Sequence, residues 1–374
     1  MRVEIPDTST DPPAQPRILV APLNWGLGHV TRCIPIIHDL EKMGAQVFLA
    51  SDGAALELLK AEFPHLPAFT LPSYRIRYGT GNMVINIGKK LPRILFAIRA
   101  EQWETQRLVQ KLKITGIISD NRYGCFTKVT RNVLLTHQLH LRIPNNFLQW
   151  MANLVLGQAL RKFETIWVPD METPPGLSGA LAHGTPSPHP SIQYLGMLSR
   201  MQYFHQEIEY DIAIVLSGPE PQRTLLEHRL IEQVIALPLK TIVIRGKTHS
   251  KEHFYAAEHV EMVSYLTSKE LNKVLLASKW IVCRAGYSSI MDLVVLRKKA
   301  LLIPTPGQTE QEYLATQLAE KGVFLVQNQE NLDLERAITQ LENTTGFAQD
   351  NYPTTYDQTM LNAWLLQNNI QVEN

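Results

Sequence analysis

The chain has 374 residues, of which 45% are hydrophobic and 19% charged, and its formal net charge is +1. This length exceeds what one hydrophobic core usually supports, so we expect two domains. The composition excludes collagen-like and low-complexity classes. Cys33, Cys125 and Cys283 form no C-x-x-C pair, which argues against a disulfide framework or a zinc site and favours a reducing compartment.

The amino-terminal residues 1–16 contain four prolines and no apolar periodicity, which predicts a disordered tail. They hold no apolar stretch of signal-peptide length, and no apolar run approaches the roughly 18 residues of a membrane span. We therefore expect a cytoplasmic protein, and a peripheral contact with the inner face of the cytoplasmic membrane stays open. Residues 1–200 carry a net charge of +7 and residues 201–374 a net charge of −6. This asymmetry fits either ordinary surface variation or attraction of the first half to an anionic surface.

Short runs rich in Val, Ile and Leu recur along the chain, and each precedes a turn signal and a helical pattern. Nearly continuous apolar strands are typical of sheets that are covered on both faces. The strands predicted in the first half cover residues 17–23, 45–52, 115–120, 133–138, 166–170 and 192–196. Those predicted in the second half cover residues 211–218, 240–246, 260–266, 280–286, 299–306 and 322–328.

This alternation predicts an α/β protein with two Rossmann-like domains that face each other across a cleft. We expect an N-terminal domain over residues 17–200, a C-terminal domain over residues 201–355 and a closing helix within residues 356–374. That helix carries apolar residues at helical spacing and should pack back on the N-terminal domain. Ligands of open α/β sheets bind at the carboxyl ends of the strands, so the chemistry should lie in the loops there.

The first of these loops contains Gly26, Gly28 and His29 and passes straight into a helix. The glycines allow a close backbone approach, and a helix amino end favours negative charge. A dinucleotide fingerprint would need a third glycine where Thr31 stands, which argues against NAD. His29 is either a capping residue or an imidazole that takes a proton from an acceptor hydroxyl.

In the second half, Ser217 and Gly218 form a turn that opens a helix and can face a phosphate. The segment 284–313 is more specific, because it orders an Arg-x-Gly turn, a helix, a strand, a proline-bounded loop and another helix. That last helix contains Gln311 and Glu312, which can hydrogen-bond the hydroxyls of a sugar.

The Arg-x-Gly turn is formed by Arg284 and Gly286, and Gly286 lets the backbone approach a ligand. Ser288 and Ser289 lie at the start of the next helix, where free backbone amides and hydroxyls offer donors to a diphosphate. Asp292 lies about one turn further, where its carboxylate can accept hydrogen bonds from two ribose hydroxyls. The order of these residues predicts a site for a nucleotide-sugar.

With these residues in this order, the sequence resembles the MurG-type transferases, glycosyltransferase family 28, and the wider GT-B group that uses nucleotide-sugars. The resemblance is strongest over residues 280–325 and weaker over 17–52. Asn24-Trp25 stands where the family has further glycines, which places the chain in a branch apart from the peptidoglycan enzyme. The matching positions are Gly26-Leu27-Gly28-His29, Arg284, Gly286, Asp292 in place of the usual Glu, Gln311 and Glu312.

The resemblance implies an inverting transfer that requires no metal or cofactor and uses a UDP-sugar as the donor, for which the family suggests UDP-N-acetylglucosamine. The absence of a D-x-D motif from the whole chain agrees with this. His29 is the first candidate for the catalytic base, and Asp120, at the end of a predicted strand, is the second. His137 and Gln138 end the following strand and are expected to line the same acceptor face. We expect no nucleic acid partner.

Two amphipathic stretches bear on the acceptor. Residues 79–113 carry Lys89, Lys90 and Arg93 among apolar residues, and residues 142–163 combine Trp150 with many aliphatic side chains. Such segments either pack on the core or lie on an anionic bilayer, in which case the acceptor is lipid-linked or belongs to the cell envelope. Two other functions stay open: an epimerase acting on nucleotide-sugars, and a non-catalytic protein that binds them.

Overall fold

The computed structural model describes residues 15–74, 83–143, 145–247, 250–346 and 356–370, with the backbone alone for the helix residues 83–92 and 368–370. The predicted disordered tail lies outside these residues except for Gln15 and Pro16. The side chains of Lys89 and Lys90, from the first amphipathic stretch, lie outside them as well.

The first half of the chain forms a parallel sheet of seven strands in the order β3-β2-β1-β4-β5-β6-β7 among the described residues. The central strands are buried except for the first residues of β1 and β5, because helices cover both faces of the sheet. The strands are β1 Arg17–Pro22, β2 Gln46–Ser51, β3 Ala68–Thr70, β4 Gly116–Asp120, β5 Arg131–Leu135, β6 Thr165–Val168 and β7 Ile192–Tyr194. The helices are α1 Gly28–Lys42, α2 Gly53–Glu62, α3 Met83–Leu112 and α4 Asn146–Leu160.

The second half repeats this arrangement, with the strand order β10-β11-β9-β8-β12-β13-β14 over the part of the chain that is described. Its strands are β8 Tyr210–Val215, β9 Thr241–Ile244, β10 His253–Ala257, β11 Val260–Val263, β12 Ser278–Cys283, β13 Ala300–Leu302 and β14 Leu325–Val326. Its helices are α5 Gln222–Ile235, α6 Ser268–Leu276, α7 Tyr287–Leu296, α8 Thr309–Glu320 and α9 Leu334–Leu341, followed by the closing helix α10 Gln358–Ile370. The predicted pair of Rossmann-like α/β domains is confirmed.

The prediction of six strands in each half was wrong by one strand in each. The two strands that were missed, β3 and β10, lie at the edges of their sheets. An edge strand is covered less than a central one, so it needs no continuous apolar run. All but the last residue of β10 are exposed, and β10 runs antiparallel to β11, whereas the other paired strands are parallel.

The closing helix α10 packs back on the N-terminal domain, as predicted. The ring of Trp364 is buried edge-on against that of Trp167 in β6, with the ring centroids 5.5 Å apart. At the start of this segment, Tyr356 and Gln358 donate hydrogen bonds to Asp39 of α1. The end of the chain therefore contributes to the core of the first domain, although the second domain precedes it in sequence.

Helix α4 exposes most of its apolar side chains. Among them, Phe147 is 67% exposed and Trp150 is 56% exposed, whereas only Leu156 and Leu160 are buried. In α3, Phe96 is 77% exposed. Of the two alternatives for this stretch, packing on the core thus accounts for the end of α4 and leaves its first turns exposed. Within the described ranges, no helix is long and apolar enough to cross a membrane.

Candidate active site

The loops that follow β1, β4 and β5 meet at the carboxyl ends of these strands. In the parallel register of the sheet, Pro22 of β1 lies beside Asp120 of β4, and Asp120 lies beside Leu135 of β5. The residues that follow these three strands are therefore neighbours. Helix α1 starts at this edge and carries His29 in its first turn. Three separate predictions, His29, Asp120 and His137, thus come together in space.

Asp120 is the centre of this group and is fully buried. Its Oδ1 lies 2.7 Å from Nδ1 of His29, and its Oδ2 accepts a hydrogen bond of 2.6 Å from Nε of Arg32. A second nitrogen of Arg32 donates to Oδ1. Burial disfavours the charged carboxylate, but the charges of Arg32 and His29 outweigh this effect and lower the pKa of Asp120 to about 2.

The contact with Asp120 decides where the proton of His29 lies. An ionised carboxylate only accepts hydrogen bonds, so Nδ1 carries the proton although a nitrogen of Arg32 also lies 3.0 Å from it. The other ring nitrogen, Nε2, has no hydrogen-bond partner among the described residues, and the side chain is 14% exposed. His29 can therefore accept a proton at Nε2, whereas both oxygens of Asp120 are occupied. Asp120 therefore holds the ring of His29 in one orientation.

His137 connects this group to the other domain. Its Nδ1 lies 3.0 Å from a nitrogen of Arg32, and its Nε2 lies 2.9 Å from Oε1 of Glu310 at the start of α8. Gln138 donates to the other oxygen of Glu310. The ring of His137 also stacks on that of Tyr287, with centroids 4.0 Å apart and planes inclined by 3°.

The first loop touches the Arg-x-Gly turn directly. Ser288 donates a hydrogen bond of 2.8 Å to the backbone oxygen of Gly28, and Tyr287 donates one of 2.8 Å to the backbone oxygen of Pro169. A Cβ atom on Gly28 would lie 2.8 Å from Oγ of Ser288, so a larger residue at this position would require Ser288 to shift. Two residues predicted to bind the donor thus meet from opposite domains.

Arg284 is buried, and its guanidinium hydrogen-bonds to the loops around it. Its guanidinium donates to the carbonyls of Ile303 and Pro304, to the carbonyl of Gln222 and to the side chain of Gln329. No carboxylate accompanies it among the described residues, and burial lowers its pKa to about 10. Arg284 therefore ties together the loops after β8, β12 and β13 and leaves an uncompensated positive charge beneath them.

The other predicted donor residues surround these loops. Ser217 is half-buried, and Gly218 is exposed with φ +100°, a conformation that favours glycine. Gly286 is the N-cap of α7, and Ser289 is half-buried in its first turn. All four residues lie where the carboxyl ends of β8 and β12 meet, as predicted for a ligand site.

Gln311 and Glu312 support the proline-bounded loop. Gln311 is buried and its Oε1 accepts a hydrogen bond of 2.9 Å from the amide of Thr305, while Glu312 is exposed and accepts one of 2.8 Å from the amide of Gly307. The acidic side chain of α8 that reaches the first domain is that of Glu310. Gln311 and Glu312 therefore fix the shape of the loop before α8, whereas the adjacent Glu310 faces the cleft.

Asp292 lies at the junction of the two domains. Its Oδ1 accepts a hydrogen bond of 2.5 Å from Ser199, which belongs to the connection between β7 and β8. Burial raises the pKa of Asp292 to about 6, although the charge of Arg200 and the bond from Ser199 oppose this effect. This carboxylate is thus separate from the group around Asp120.

Arg32 and Glu310 are the two residues of the site that sequence reasoning missed. Arg32 follows His29 by three positions on a helix, a spacing that puts both side chains on one face. Glu310 adjoins Gln311, but its direction depends on how the two domains pack. A signal for Arg32 was therefore present in the sequence, whereas none was present for Glu310.

Comparison with known proteins defines the class. Residues 222–363 match the glycosyltransferase family 28 C-terminal domain. The chain is similar to the UDP-N-acetylglucosamine–N-acetylmuramyl-(pentapeptide) pyrophosphoryl-undecaprenol N-acetylglucosamine transferase of Methylobacterium nodulans. The two sequences are 23% identical over 355 residues, and the alignment covers 89% of each chain. The chain is 24% identical over 327 residues, 82% of each chain, to a glycosyltransferase of Methanosarcina acetivorans.

Solved structures agree on the fold. The crystal structure of MurG from Acinetobacter baumannii superposes with a TM-score of 0.53 at 14% identity, covering 96% of this chain and 94% of that one. The glycotransferase of kitacinnamycin superposes with a TM-score of 0.61 at 12% identity, covering 96% of each chain. The fold is that of the GT-B glycosyltransferases. Together with the match to the family 28 C-terminal domain and the relatives of similar length, it makes this chain a glycosyltransferase that is similar to MurG.

The buried pair of Asp120 and Arg32 predicts a response to acid. The pKa of Asp120 is lowered from 3.8 to about 2, so ionised Asp120 stabilises the fold above pH 4, and this contribution of about 2 kcal/mol disappears as the pH falls through 2. Replacing Asp120 by Asn should cost about 3–5 kcal/mol near pH 7, because Arg32 is left unpaired. The difference in unfolding free energy between the two proteins, measured by urea denaturation, should shrink as the pH is lowered from 5.

A matched control is Glu335→Gln, which removes an exposed carboxylate from the first turn of α9. It should change the unfolding free energy by less than about 0.5 kcal/mol. A difference between wild type and Asp120→Asn that stays constant from pH 5 to pH 2.5 would contradict the assigned ionisation.

Proposed function

We propose that this protein transfers a sugar from a UDP-sugar to a hydroxyl acceptor with inversion at the anomeric carbon and without a metal ion. The observation that carries the proposal is the pair of His29 and Asp120 at the edge of the first sheet, directly across from the start of α7. A base on one domain and an anion-binding helix end on the other are the two parts that such a reaction needs.

The base acts on the acceptor. Nε2 of His29 takes the proton of the acceptor hydroxyl while the hydroxyl oxygen forms a bond to the anomeric carbon of the donor. The bond between that carbon and the diphosphate oxygen breaks on the opposite face, and UDP leaves with the electron pair. Asp120 keeps the ring oriented through Nδ1 and stabilises the imidazolium that forms.

The donor domain stabilises the leaving diphosphate. The backbone amides at the start of α7, between Gly286 and Ser289, point their positive dipole end at the cleft. The uncompensated charge of Arg284 beneath these loops adds to the field, even though its own hydrogen bonds go to protein atoms. Ser217 and Gly218 extend the same surface at the end of β8.

The remaining contacts to the donor follow from their positions. Asp292 is proposed to accept hydrogen bonds from the ribose, which requires that its bond from Ser199 be exchanged or shared. Gln311 and Glu312 support the loop before α8, and their free donor and acceptor groups are proposed to contact the sugar. Their anchoring keeps that loop in a fixed shape, which suits recognition of a rigid sugar ring.

The names of the relatives supply a donor and an acceptor for this proposal. The transferase of Methylobacterium nodulans is named for UDP-N-acetylglucosamine and for an undecaprenol-linked acceptor. We propose N-acetylglucosamine as the sugar and a lipid-linked acceptor for this chain. The exposed apolar side chains of α4 support a peripheral position on the inner face of the cytoplasmic membrane, where such an acceptor would be presented.

Neither of the two other functions is favoured by the comparisons. An epimerase would need an acid/base set at the anomeric centre in addition to His29 and Asp120. A binding protein without catalysis would not need a histidine whose ring is oriented by a buried carboxylate and whose second nitrogen has no partner within the described part of the chain. The oriented imidazole therefore favours a transferase.

Replacing His29 by Ala should lower turnover by a factor of about 10²–10⁴, which is the scale of a lost general base. UDP should still bind with nearly wild-type affinity, because His29 lies on the acceptor side. Turnover is measured as UDP release from UDP-N-acetylglucosamine in the presence of detergent-solubilised cell-envelope lipid, with the product identified by mass spectrometry. Unchanged turnover in this variant would refute the assignment of the base.

Replacing Asp292 by Ala should weaken UDP binding by roughly 1.5–3 kcal/mol, the range for a hydrogen bond to a charged group. Because the pKa of Asp292 is raised to about 6, UDP binding to the wild-type protein should also weaken as the pH falls below 6. Isothermal titration calorimetry at pH 5 and pH 7.5 measures both effects. The Ser199→Ala variant is the control, since it removes the protein partner of Asp292 and keeps the carboxylate.

Replacing both Phe147 and Trp150 by Ser should reduce binding to vesicles that contain anionic lipid, because it removes two exposed aromatic rings from α4. Flotation of the protein with liposomes, with and without anionic lipid, measures the effect. The control is Tyr255→Ser, which removes an exposed ring from β10 in the other domain. Equal flotation of all three proteins would count against a membrane contact through α4.

A further inference from the structure

Glu310 is the one acidic side chain of the donor domain that touches the group around His29 through described contacts. It belongs to the first turn of α8, and both of its oxygens are used: Oε1 lies 2.9 Å from Nε2 of His137, and Oε2 accepts from Gln138. Its side chain is 22% exposed, and that of His137 is 4% exposed. The contact therefore joins the two domains in a largely dry environment.

The hydrogen bonds from Arg32 to His137 and from His137 to Glu310 determine where the proton of the His137 ring lies. Arg32 can only donate, so Nδ1 of His137 accepts from it and the proton of the neutral ring lies on Nε2. Nε2 in turn donates to Glu310, whose carboxylate only accepts. Burial lowers the pKa of His137, so the ring stays neutral and transmits no charge of its own. Glu310 thereby fixes the tautomer of His137 that binds Arg32.

Glu310 adds one negative charge to the group formed by Arg32, Asp120, His29 and His137. Arg32 carries one positive charge, and Asp120 and Glu310 carry one negative charge each, so the group has one net negative charge while both imidazoles are neutral. When His29 takes a proton, the net charge becomes zero. Without Glu310, the same step would create a net positive charge in a buried site, which is less favourable.

We propose that Glu310 is a positioning residue for catalysis, which acts across the cleft by fixing His137 and Arg32 and by balancing the charge that forms on His29. The proposal rests on the proposed function, in which His29 is the base. It implies that the base reaches full strength only when the donor domain is packed against the acceptor domain. Transfer of the acceptor proton is thereby coupled to the position of the domain that holds the donor.

The other titratable groups around this site do not change charge in the relevant range. Burial raises the pKa of the Cys33 thiol, which lies 3.6 Å from Asp120. It also raises the pKa of the phenols of Tyr123 and Tyr287. These three side chains are neutral near pH 7. Arg32, Asp120 and Glu310 therefore supply the fixed charges that face the two imidazoles.

The test uses Glu310→Gln, which keeps the shape of the side chain and an acceptor for His137 but removes the charge. We expect kcat to fall about tenfold and the acidic limb of the pH profile of kcat/KM to move to lower pH by about one unit, because one pKa unit corresponds to a tenfold change. The assay is UDP release from UDP-N-acetylglucosamine with detergent-solubilised cell-envelope lipid. Glu310→Asp keeps the charge and should restore both quantities for the most part.

A second readout does not depend on turnover. The titration midpoint of the His29 ring, followed by NMR in the ligand-free protein and identified with a His29→Gln variant, should move to lower pH in Glu310→Gln. The matched control is Glu320→Gln, an exposed carboxylate at the other end of α8, which should leave both readouts unchanged. Thermal melting verifies that each variant is folded.

The outcomes separate this proposal from the proposed function. An unchanged midpoint with normal kcat in Glu310→Gln would overturn the role of Glu310 and leave His29 as the base. Equal losses in Glu310→Asp and Glu310→Gln would overturn the role of the charge. A shifted midpoint in a protein that transfers no sugar would support the action of Glu310 on His29 and count against the proposed function.

Discussion

The buried ion pair between Arg32 and Asp120 is the interaction on which the acceptor side of this protein depends. It joins the first helix to the end of β4, and it holds His29 and His137 on either side of one guanidinium. Neither charge could be buried without the other, because desolvation alone would disfavour both. The pair therefore requires that the loops after three strands adopt one arrangement, and this arrangement orients the proposed base.

The second domain also buries an arginine, but without a carboxylate partner among the described residues. Arg284 is as buried as Arg32, but its guanidinium contacts backbone carbonyls and one glutamine, with no carboxylate among the described residues. A charge left uncompensated in this way suits a domain whose ligand is an anion, since a diphosphate above it would supply the missing negative charge. This difference in charge balance between the two domains agrees with the proposed function, in which the first domain holds the base and the second the leaving group.

Several features of the fold and the site could be predicted, and the failures share a cause. The central strand β1 is an almost continuous apolar run, and the glycines before His29 mark the first loop. The edge strands β3 and β10 carry no such pattern because they are covered on fewer sides. The exposed apolar side chains of α4 could not be told from a core-facing stripe, since hydrophobic periodicity does not reveal which surface will cover it.

The sequence by itself determined the double α/β architecture, the order of the segment from Arg284 to Glu312 and the place of His29 in the first loop, because each depends on local pattern and spacing. Only the tertiary structure decided that Asp120 contacts Nδ1 of His29, that Ser288 meets Gly28, and that Glu310 and not Gln311 faces the other domain. These contacts join residues that are 91 to 260 positions apart along the chain. Residues this far apart in sequence are brought together by the packing of strands and domains, for which a single sequence carries no local signal.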